Sequence, residues 1–204
     1  MAGAKALRRG LTLIELLIAC AMVAILAALW FPIFAAARDR ARRATCASNL
    51  HQLAVAFGLY AADCGALPDS GLFGSNPEGS WVAVPAEYQL QIERGVLWPY
   101  VRHSGIYRCP TYAAPASGAR LSYAMNHLLG LLPEPAIVAP SRTPLLLEED
   151  ARSARGWGLN DGAYLFQPSP AGIDRLATHH SGGGSVLYCD GHIGWAKEMQ
   201  RNGD

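Results

Sequence analysis

Three histidines and one aspartate lie close together near the end of the chain. His179 and His180 come before a run of glycines, and Asp190 and His192 come after it. Imidazole nitrogens and carboxylate oxygens are common ligands of transition metals, so this group is a candidate metal site. Acidic residues elsewhere in the chain offer further oxygen ligands: Glu148, Glu149 and Asp150.

A structural role explains the same residues without a ligand. Asp190 and Gly191 suit a tight turn, because Asp and Gly tolerate the backbone conformations that turns require, and His180 could hydrogen-bond a loop carbonyl. The glycines at 182–184 could instead form an anion-binding nest. Ser181 is adjacent to His180 in sequence only, which is not the geometry of a nucleophilic triad. We predict the structural role, with no catalytic residue and no cofactor.

A single carboxylate interrupts a long apolar run near the N-terminus. Between residues 11 and 37, Glu15 is the one side chain that is strongly charged at neutral pH. The run exceeds the roughly 20 residues that span a bilayer core, and it is longer than the apolar region of a secretory signal. A carboxylate near the middle of a membrane helix costs about 2.5–3.5 kcal/mol, and somewhat less near the interface, so Glu15 needs a partner. If the chain were cut after Gly10, the free amine of Leu11 would lie one helical turn away.

The start of this run carries a recognisable motif. Residues 8–17 read RRGLTLIELL, and this segment resembles the cleavage and methylation motif of type IV prepilins and type II secretion pseudopilins. The resemblance implies cleavage between Gly10 and Leu11 by prepilin peptidase, methylation of the Leu11 amine, and a cytoplasmic N-terminus. It also implies that Glu15 neutralises the amine of a neighbouring subunit during assembly. Pro32 falls where these families often carry a helix-softening proline. The first mature residue in these families is usually Phe, and here it is Leu.

A second resemblance covers most of the chain. His180 precedes Asp190 and Gly191 by nine intervening residues, and the segments at 45–50 and 107–110 accompany this spacing. Together they resemble a family of prepilin-type proteins named for a motif of His, nine residues, Asp and Gly. The resemblance implies a pseudopilin-like α/β head and supplies no biochemical activity.

Five cysteines set the options for disulfides. Cys20 lies in the apolar run, which leaves four in the rest of the chain and three ways to pair them. No Cys-x-x-Cys pair occurs, which argues against a structural zinc site. Cys46 and Cys109 occur in the segments that resemble the family, so we predict that they form a disulfide. Cys64 with Cys189 is a second candidate pair, and buried free thiols are the alternative.

A long helix and a small sheet have to position these residues. After the apolar run, apolar side chains recur at spacings of three and four, which places them on one helical face. We therefore predict one helix from Leu11 to about Ala62, with a membrane half and an amphipathic half. Strands are predicted at 143–148 and 163–166. The predicted buried face consists of Cys46, Leu50, Leu53, Phe57 and Tyr60.

The clearest strand signal is a hairpin over residues 185–196 that turns at an Asp-Gly pair. A two-residue turn there pairs Tyr188 with Ile193 and Val186 with Trp195. Because side chains alternate between the faces of a strand, these four residues are predicted to share the core face.

Length and composition bound the organisation of the chain. It has 204 residues, of which 51% are hydrophobic and 16% charged, and its net charge of +1 gives no case for a nucleic-acid partner. We predict a cleaved leader at 1–10, a transmembrane assembly helix at 11–37 and a head at 38–204. The predicted fold is α+β and pilin-like, with a long N-terminal helix packed on a small antiparallel sheet.

These elements predict a structural subunit of a type IV pilus-like or type II secretion filament. Its expected partners are further copies of the chain, which contact one another through the N-terminal helices, together with prepilin peptidase and an assembly platform. It would cross the bacterial inner membrane once, with a periplasmic or extracellular head. The alternative is a membrane-anchored extracytoplasmic metal-binding protein or hydrolase that uses His180 and Asp190.

Overall fold

The computed structural model describes residues 12–71, 78–83, 90–112, 120–150, 162–166 and 174–197. The chain divides into two compact units, Met1–Arg40 and Ala41–Asp204. Helix α1, Leu13–Cys64, begins in the first unit and ends in the second. The predicted continuous helix is therefore confirmed, and it ends two residues later than expected.

The first unit is the apolar part of α1. Among the described helices, α1 alone is long and apolar enough to cross a membrane. Its large apolar side chains are exposed in the isolated chain, from Leu13 to Phe34. Pro32 lies inside the helix. Since proline lacks a backbone N–H, one helical hydrogen bond is missing at this position.

In the second unit, α1 buries one face, as the spacing predicts. Tyr60 is only partly buried and packs at the edge of the core. The helix ends at Cys64, and the residue that follows it is Gly65, whose φ of +79° is easily adopted by glycine. The Gly65 amide donates to the Ala61 carbonyl at 2.8 Å and so satisfies one of the last carbonyls. The buried residues of this face are Cys46, Leu50, Leu53, Ala56, Phe57 and Ala61.

In the described part of the chain, five short strands form one sheet in the order β3-β1-β2-β4-β5. They are β1 Tyr123–Asn126, β2 Pro144–Glu148, β3 Ala163–Tyr164, β4 Gly184–Tyr188 and β5 Ile193–Ala196. Three strand pairs are antiparallel, but β1 and β3 are parallel. The sheet is therefore mixed, whereas an antiparallel sheet was expected. The parallel pair is possible because a long connection, residues 127–162, separates its two strands.

The sheet buries both faces. Tyr123, Met125 and Leu146 pack in one apolar cluster with the buried face of α1. Ala124 and Leu147, which alternate with them, belong to a second, smaller cluster on the other face. Because β2 is central and covered on both sides, all five of its residues are buried. One of them is a glutamate, Glu148.

The hairpin between β4 and β5 differs from its prediction by one residue. The Gly191 amide donates to the Tyr188 carbonyl at 2.9 Å, and the Tyr188 amide donates to the His192 carbonyl at 3.0 Å. The loop therefore has three residues and ends at Gly191, whose φ is +88°. This is the next commonest hairpin geometry after the two-residue turn, with the glycine in the left-handed conformation.

The longer loop changes which side chains share a face. Leu187 now pairs with Ile193, and Ser185 pairs with Trp195. Val186 packs in the smaller cluster, while Leu187 and Ile193 pack in or against the large cluster that contains the buried face of α1. The predicted core face of Val186, Tyr188, Ile193 and Trp195 is therefore wrong. Both faces of β4 are apolar, so the alternation of side chains could not select the register.

Candidate functional site

Helix α1 begins with a reciprocal cap that includes Glu15. The backbone N–H and the hydroxyl of Thr12 donate to Glu15 Oε2 at 2.9 and 2.8 Å, and the Glu15 amide donates to Thr12 Oγ1 at 3.3 Å. This is a capping box, which satisfies backbone groups left unpaired in the first turn. Sequence reasoning missed Thr12, although a threonine three residues before a glutamate is its signature. Gly10 and Leu11 lie outside the described residues.

A buried cluster surrounds Glu148 at the end of β2. Its Oε1 atom lies 2.8 Å from His179 Nε2, 3.3 Å from His180 Nε2 and 3.2 Å from Cys46 Sγ. Its Oε2 atom accepts a hydrogen bond of 2.9 Å from the Ser185 amide. The side chains of Glu148 and His180 are fully buried, while that of His179 is 22% exposed.

The Glu148 carboxylate remains ionised in this environment. Burial alone would raise its pKa, but hydrogen bonds from His179 and His180 and from the Ser185 amide outweigh burial and lower the pKa to about 2. An ionised carboxylate only accepts hydrogen bonds, so the imidazole nitrogen at 2.8 Å is the donor. Within the described part of the chain, His180 Nδ1 is buried without a hydrogen-bond partner.

The two cysteines of the predicted disulfide meet beside this cluster. Cys46 and Cys109 are joined by a disulfide, with their Cα atoms 5.2 Å apart. Tyr123 Oη lies 3.3 Å from Cys46 Sγ, and His180 Nε2 lies 3.2 Å from Cys109 Sγ. The second candidate pair does not form, because Cys64 and Cys189 are both free.

Asp190 and His192 lie apart from the buried cluster. Both are exposed at the hairpin loop, where Asp190 Oδ1 accepts from the His192 amide at 3.1 Å and contacts its ring nitrogen at 2.5 Å. The carboxylate therefore holds the turn in which Gly191 has its positive φ. Among the described residues, His180 belongs to the one candidate metal cluster, and neither Asp190 nor His192 does. The structure does not bring the proposed His180, Asp190 and His192 ligands together.

The glycines after His180 form a second tight turn. The amide of His180 donates to the carbonyl of Gly183 at 3.1 Å, and Ser181 and Gly182 both have positive φ. Trp195 Nε1 donates to the His180 carbonyl at 2.9 Å. This turn fixes the backbone of His180 against β5 and so directs its ring toward Glu148.

Comparison with known families gives two matches, which cover different parts of the chain. Residues 35–155, more than half of the chain, match the family described as "Protein of unknown function (DUF1559)". Residues 5–31 match the family described as "Prokaryotic N-terminal methylation motif". No curated protein and no solved structure matches the chain.

The two matches cover different elements of the structure. The methylation motif covers the cap of α1 and most of its apolar run. The longer match covers α1 from residue 35 onward, Cys109 and β2 with Glu148, and it ends before His180. The prepilin resemblance inferred from the N-terminal residues is confirmed. The chain therefore belongs to the family of unknown function DUF1559, and its methylation motif makes it a type IV pilin-like precursor.

Proposed function

We propose that this chain is a structural subunit of a type IV pilus-like or type II secretion filament. The observation that carries the proposal is the match of residues 5–31 to the methylation motif, followed by one helix long and apolar enough to cross a membrane. A motif of this kind lies at the start of the helix through which pilin-like subunits pack. The proposed role is structural and not catalytic.

Processing comes first in this proposal. Prepilin peptidase cuts between Gly10 and Leu11, and the new amine of Leu11 is methylated. The helix crosses the inner membrane once, with its N-terminus in the cytoplasm and its head in the periplasm or outside the cell. Assembly on a platform then transfers the helix from lipid into a bundle of identical helices, where the Glu15 carboxylate pairs with the Leu11 amine of a neighbour.

The hydrolase alternative needs His180 and Asp190 to act on one substrate. His180 is fully buried and contacts Glu148 and Cys109, whereas Asp190 is exposed and contacts His192. A general base has to lie within hydrogen-bond reach of the group that it deprotonates. The separation of these two residues therefore supports the filament proposal over the hydrolase.

Recovery of the protein from cells tests the filament proposal. We expect the chain in filaments sheared from its native host, with Leu11 as the first residue, and we expect it to be absent from that fraction when the assembly ATPase is deleted. A mature protein that still begins at Met1, or one that never enters filaments, would refute the proposal. Gly10→Val should block cleavage, because a branched side chain does not fit a site shaped for glycine.

Two substitutions of Glu15 separate its charge from its capping hydrogen bonds. Glutamine can serve in a capping box, so Glu15→Gln keeps the cap and removes the charge, while Glu15→Leu removes both. If the charge pairs with the Leu11 amine, both variants should insert and be cleaved but should form no filaments. Filament formation by Glu15→Gln at the normal level would mean that assembly depends on the capping hydrogen bonds of Glu15 and not on its charge.

A further inference from the structure

Four metal-ligating side chains converge in the core from distant parts of the chain. Cys46 comes from α1, Cys109 follows the 3₁₀ helix Ser104–Tyr107, Glu148 ends β2, and His180 precedes β4. All four are buried, and one ligand atom of each lies within 4.8 Å of the others. Two sulfurs, one imidazole nitrogen and one carboxylate oxygen are a ligand set that Zn²⁺ accepts.

We propose that the dithiol form of this cluster is a binding site for one transition-metal ion of the Zn²⁺ class, held by Cys46 Sγ, Cys109 Sγ, Glu148 Oε1 and His180 Nε2. The proposal does not depend on the filament function. It also differs from the candidate metal site that the sequence offers as the alternative to a structural role, since it excludes Asp190 and His192 and includes both cysteines.

The distances between the ligand atoms suit a tetrahedral site. Zn²⁺ bonds of roughly 2.0–2.3 Å place neighbouring ligand atoms roughly 3.3–3.8 Å apart. Glu148 Oε1 lies 3.2 Å from Cys46 Sγ and 3.3 Å from His180 Nε2, and Cys109 Sγ lies 3.2 Å from His180 Nε2. The two sulfurs are within bonding distance in the disulfide form, so they must move apart to accept the ion.

The surrounding residues already orient three of the four ligands, Glu148, Cys46 and Cys109. Glu148 Oε2 accepts a hydrogen bond from the Ser185 amide, which leaves Oε1 to face the cluster, and His179 also contacts Oε1. Tyr123 Oη lies 3.3 Å from Cys46 Sγ, and the Thr111 amide lies 3.4 Å from Cys109 Sγ. Outer hydrogen bonds of this kind fix metal ligands, and losing one typically weakens metal binding 10–100-fold.

The metal form and the disulfide form exclude each other. A sulfur atom in a disulfide carries no thiolate charge, and the thiolate is the form of cysteine that binds metal. Cysteines enter a new chain as thiols, so the dithiol form exists before any disulfide and needs no reductant at that stage. Metal binding to it releases the protons of the two thiols.

Cobalt titration of the full chain tests the site. The chain would be purified in detergent, reduced with a phosphine, stripped of metal and titrated with Co²⁺, in a background where Cys20, Cys64 and Cys189 are replaced by Ser. In that background only Cys46 and Cys109 remain. We expect one Co²⁺ per chain, with thiolate-to-cobalt charge-transfer absorption and the visible bands of tetrahedral cobalt. Zn²⁺ should displace the Co²⁺.

Variants of the other ligands locate the ion. Glu148→Gln and His180→Gln should each weaken Co²⁺ binding at least about 10-fold, whereas the exposed control His192→Gln should bind as tightly as the background chain. Absence of charge-transfer absorption in the background chain would overturn the proposal, whether the reduced chain is folded or unfolded by circular dichroism. Unchanged binding in both ligand variants would also overturn it, since the ion would then lie elsewhere.

Discussion

Glu148 carries a negative charge inside the core, at the end of a strand whose other residues are apolar. Its pKa in the folded chain is about 2, because hydrogen bonds from His179, His180 and the Ser185 amide outweigh the effect of burial. A carboxyl group with a lowered pKa stabilises the folded state above its unfolded pKa, and this contribution is lost as the pH falls through the folded value. For Glu148 that window runs from 4.5 down to about 2.

Substituting Glu148 should therefore change how the protein responds to acid. The paired carboxylate contributes on the order of 3 kcal/mol to the free energy of unfolding at neutral pH, so Glu148→Gln should be less stable than the wild type there. Between about pH 4.5 and 2 the wild type should lose this contribution, whereas Glu148→Gln has no such contribution to lose. Thermal melting of the oxidised, metal-free chain across this range measures the effect. Glu134→Gln is the control, because Glu134 is exposed. A parallel loss of stability in Glu148→Gln and the wild type would contradict the assignment.

His180 and His192 are both close to a carboxylate, but they differ in burial. His180 is fully buried between Glu148 and Cys109. His180→Ala leaves a cavity and removes a partner of a buried charge, so it should cost about 2–4 kcal/mol. His192 is 48% exposed, and His192→Ala should change the melting temperature little. Equal losses in the two variants would show that the buried contacts contribute no more than the exposed ones.

The elements divide into those that local patterns determine and those that they do not. The long helix could be predicted, because its apolar run and its three-and-four spacing are local signals and Gly65 marks its end. The position of the hairpin could be predicted but the register of β4 with β5 could not. Strand β4 is apolar on both faces, and a glycine such as Gly191 suits both two- and three-residue loops. The parallel pairing of β3 depends on a contact across residues 127–162, and no local pattern contains that information.

The candidate site also combines features that could be predicted from local sequence with features that depend on long-range contacts. A disulfide between Cys46 and Cys109 was expected because both lie in family-like segments. Their contact with Glu148 could not be read from spacing, because residues from three distant segments meet only once α1 packs on the sheet. Asp190 was placed in the same candidate site as His180 because the two are close in sequence. The turn after His180 places its ring in the core, whereas the hairpin loop after β4 holds Asp190 at the surface.

Replacement by alanine should have opposite effects on stability at two glycines. A Cβ on Gly183 would lie 2.3 Å from the Ala196 carbonyl oxygen and 2.6 Å from the Trp195 ring, whereas a Cβ on Gly58 would meet nothing within 4 Å. Gly183→Ala should therefore push β5 away from the turn and cost about 1–3 kcal/mol. Gly58→Ala, in the interior of α1, should stabilise the chain by about 0.5–1 kcal/mol. Chemical denaturation of both variants under one condition measures the difference, and a stabilising Gly183→Ala would contradict the packing of this turn.

At the scale of the whole molecule, long-range contacts hold the second unit together. Helix α1 contributes one face to the large apolar cluster, and the sheet and the segments between helix and sheet contribute the rest. The disulfide joins Cys46 on this helix to Cys109, 63 residues later, so it closes a loop that contains the end of α1 and the segments that follow it. A cross-link of this kind stabilises the fold mainly by restricting the unfolded chain, and more so for a longer loop.

Removing this cross-link should cause a large loss of stability. A loop of 63 residues corresponds to about 4 kcal/mol in the chain-entropy estimate. The double variant Cys46→Ser, Cys109→Ser should therefore melt well below the wild type, with both measured in detergent without reductant or metal. The matched control is Cys64→Ser, Cys189→Ser, which removes two free cysteines and should melt close to the wild type. Reduction of the wild type with a phosphine should lower its melting temperature to that of the Cys46→Ser, Cys109→Ser variant. The same treatment should not change the melting temperature of that variant. If the Cys46 and Cys109 thiols are freely alkylated in protein isolated from the envelope, and the double variant melts like the wild type, the disulfide does not stabilise the mature protein.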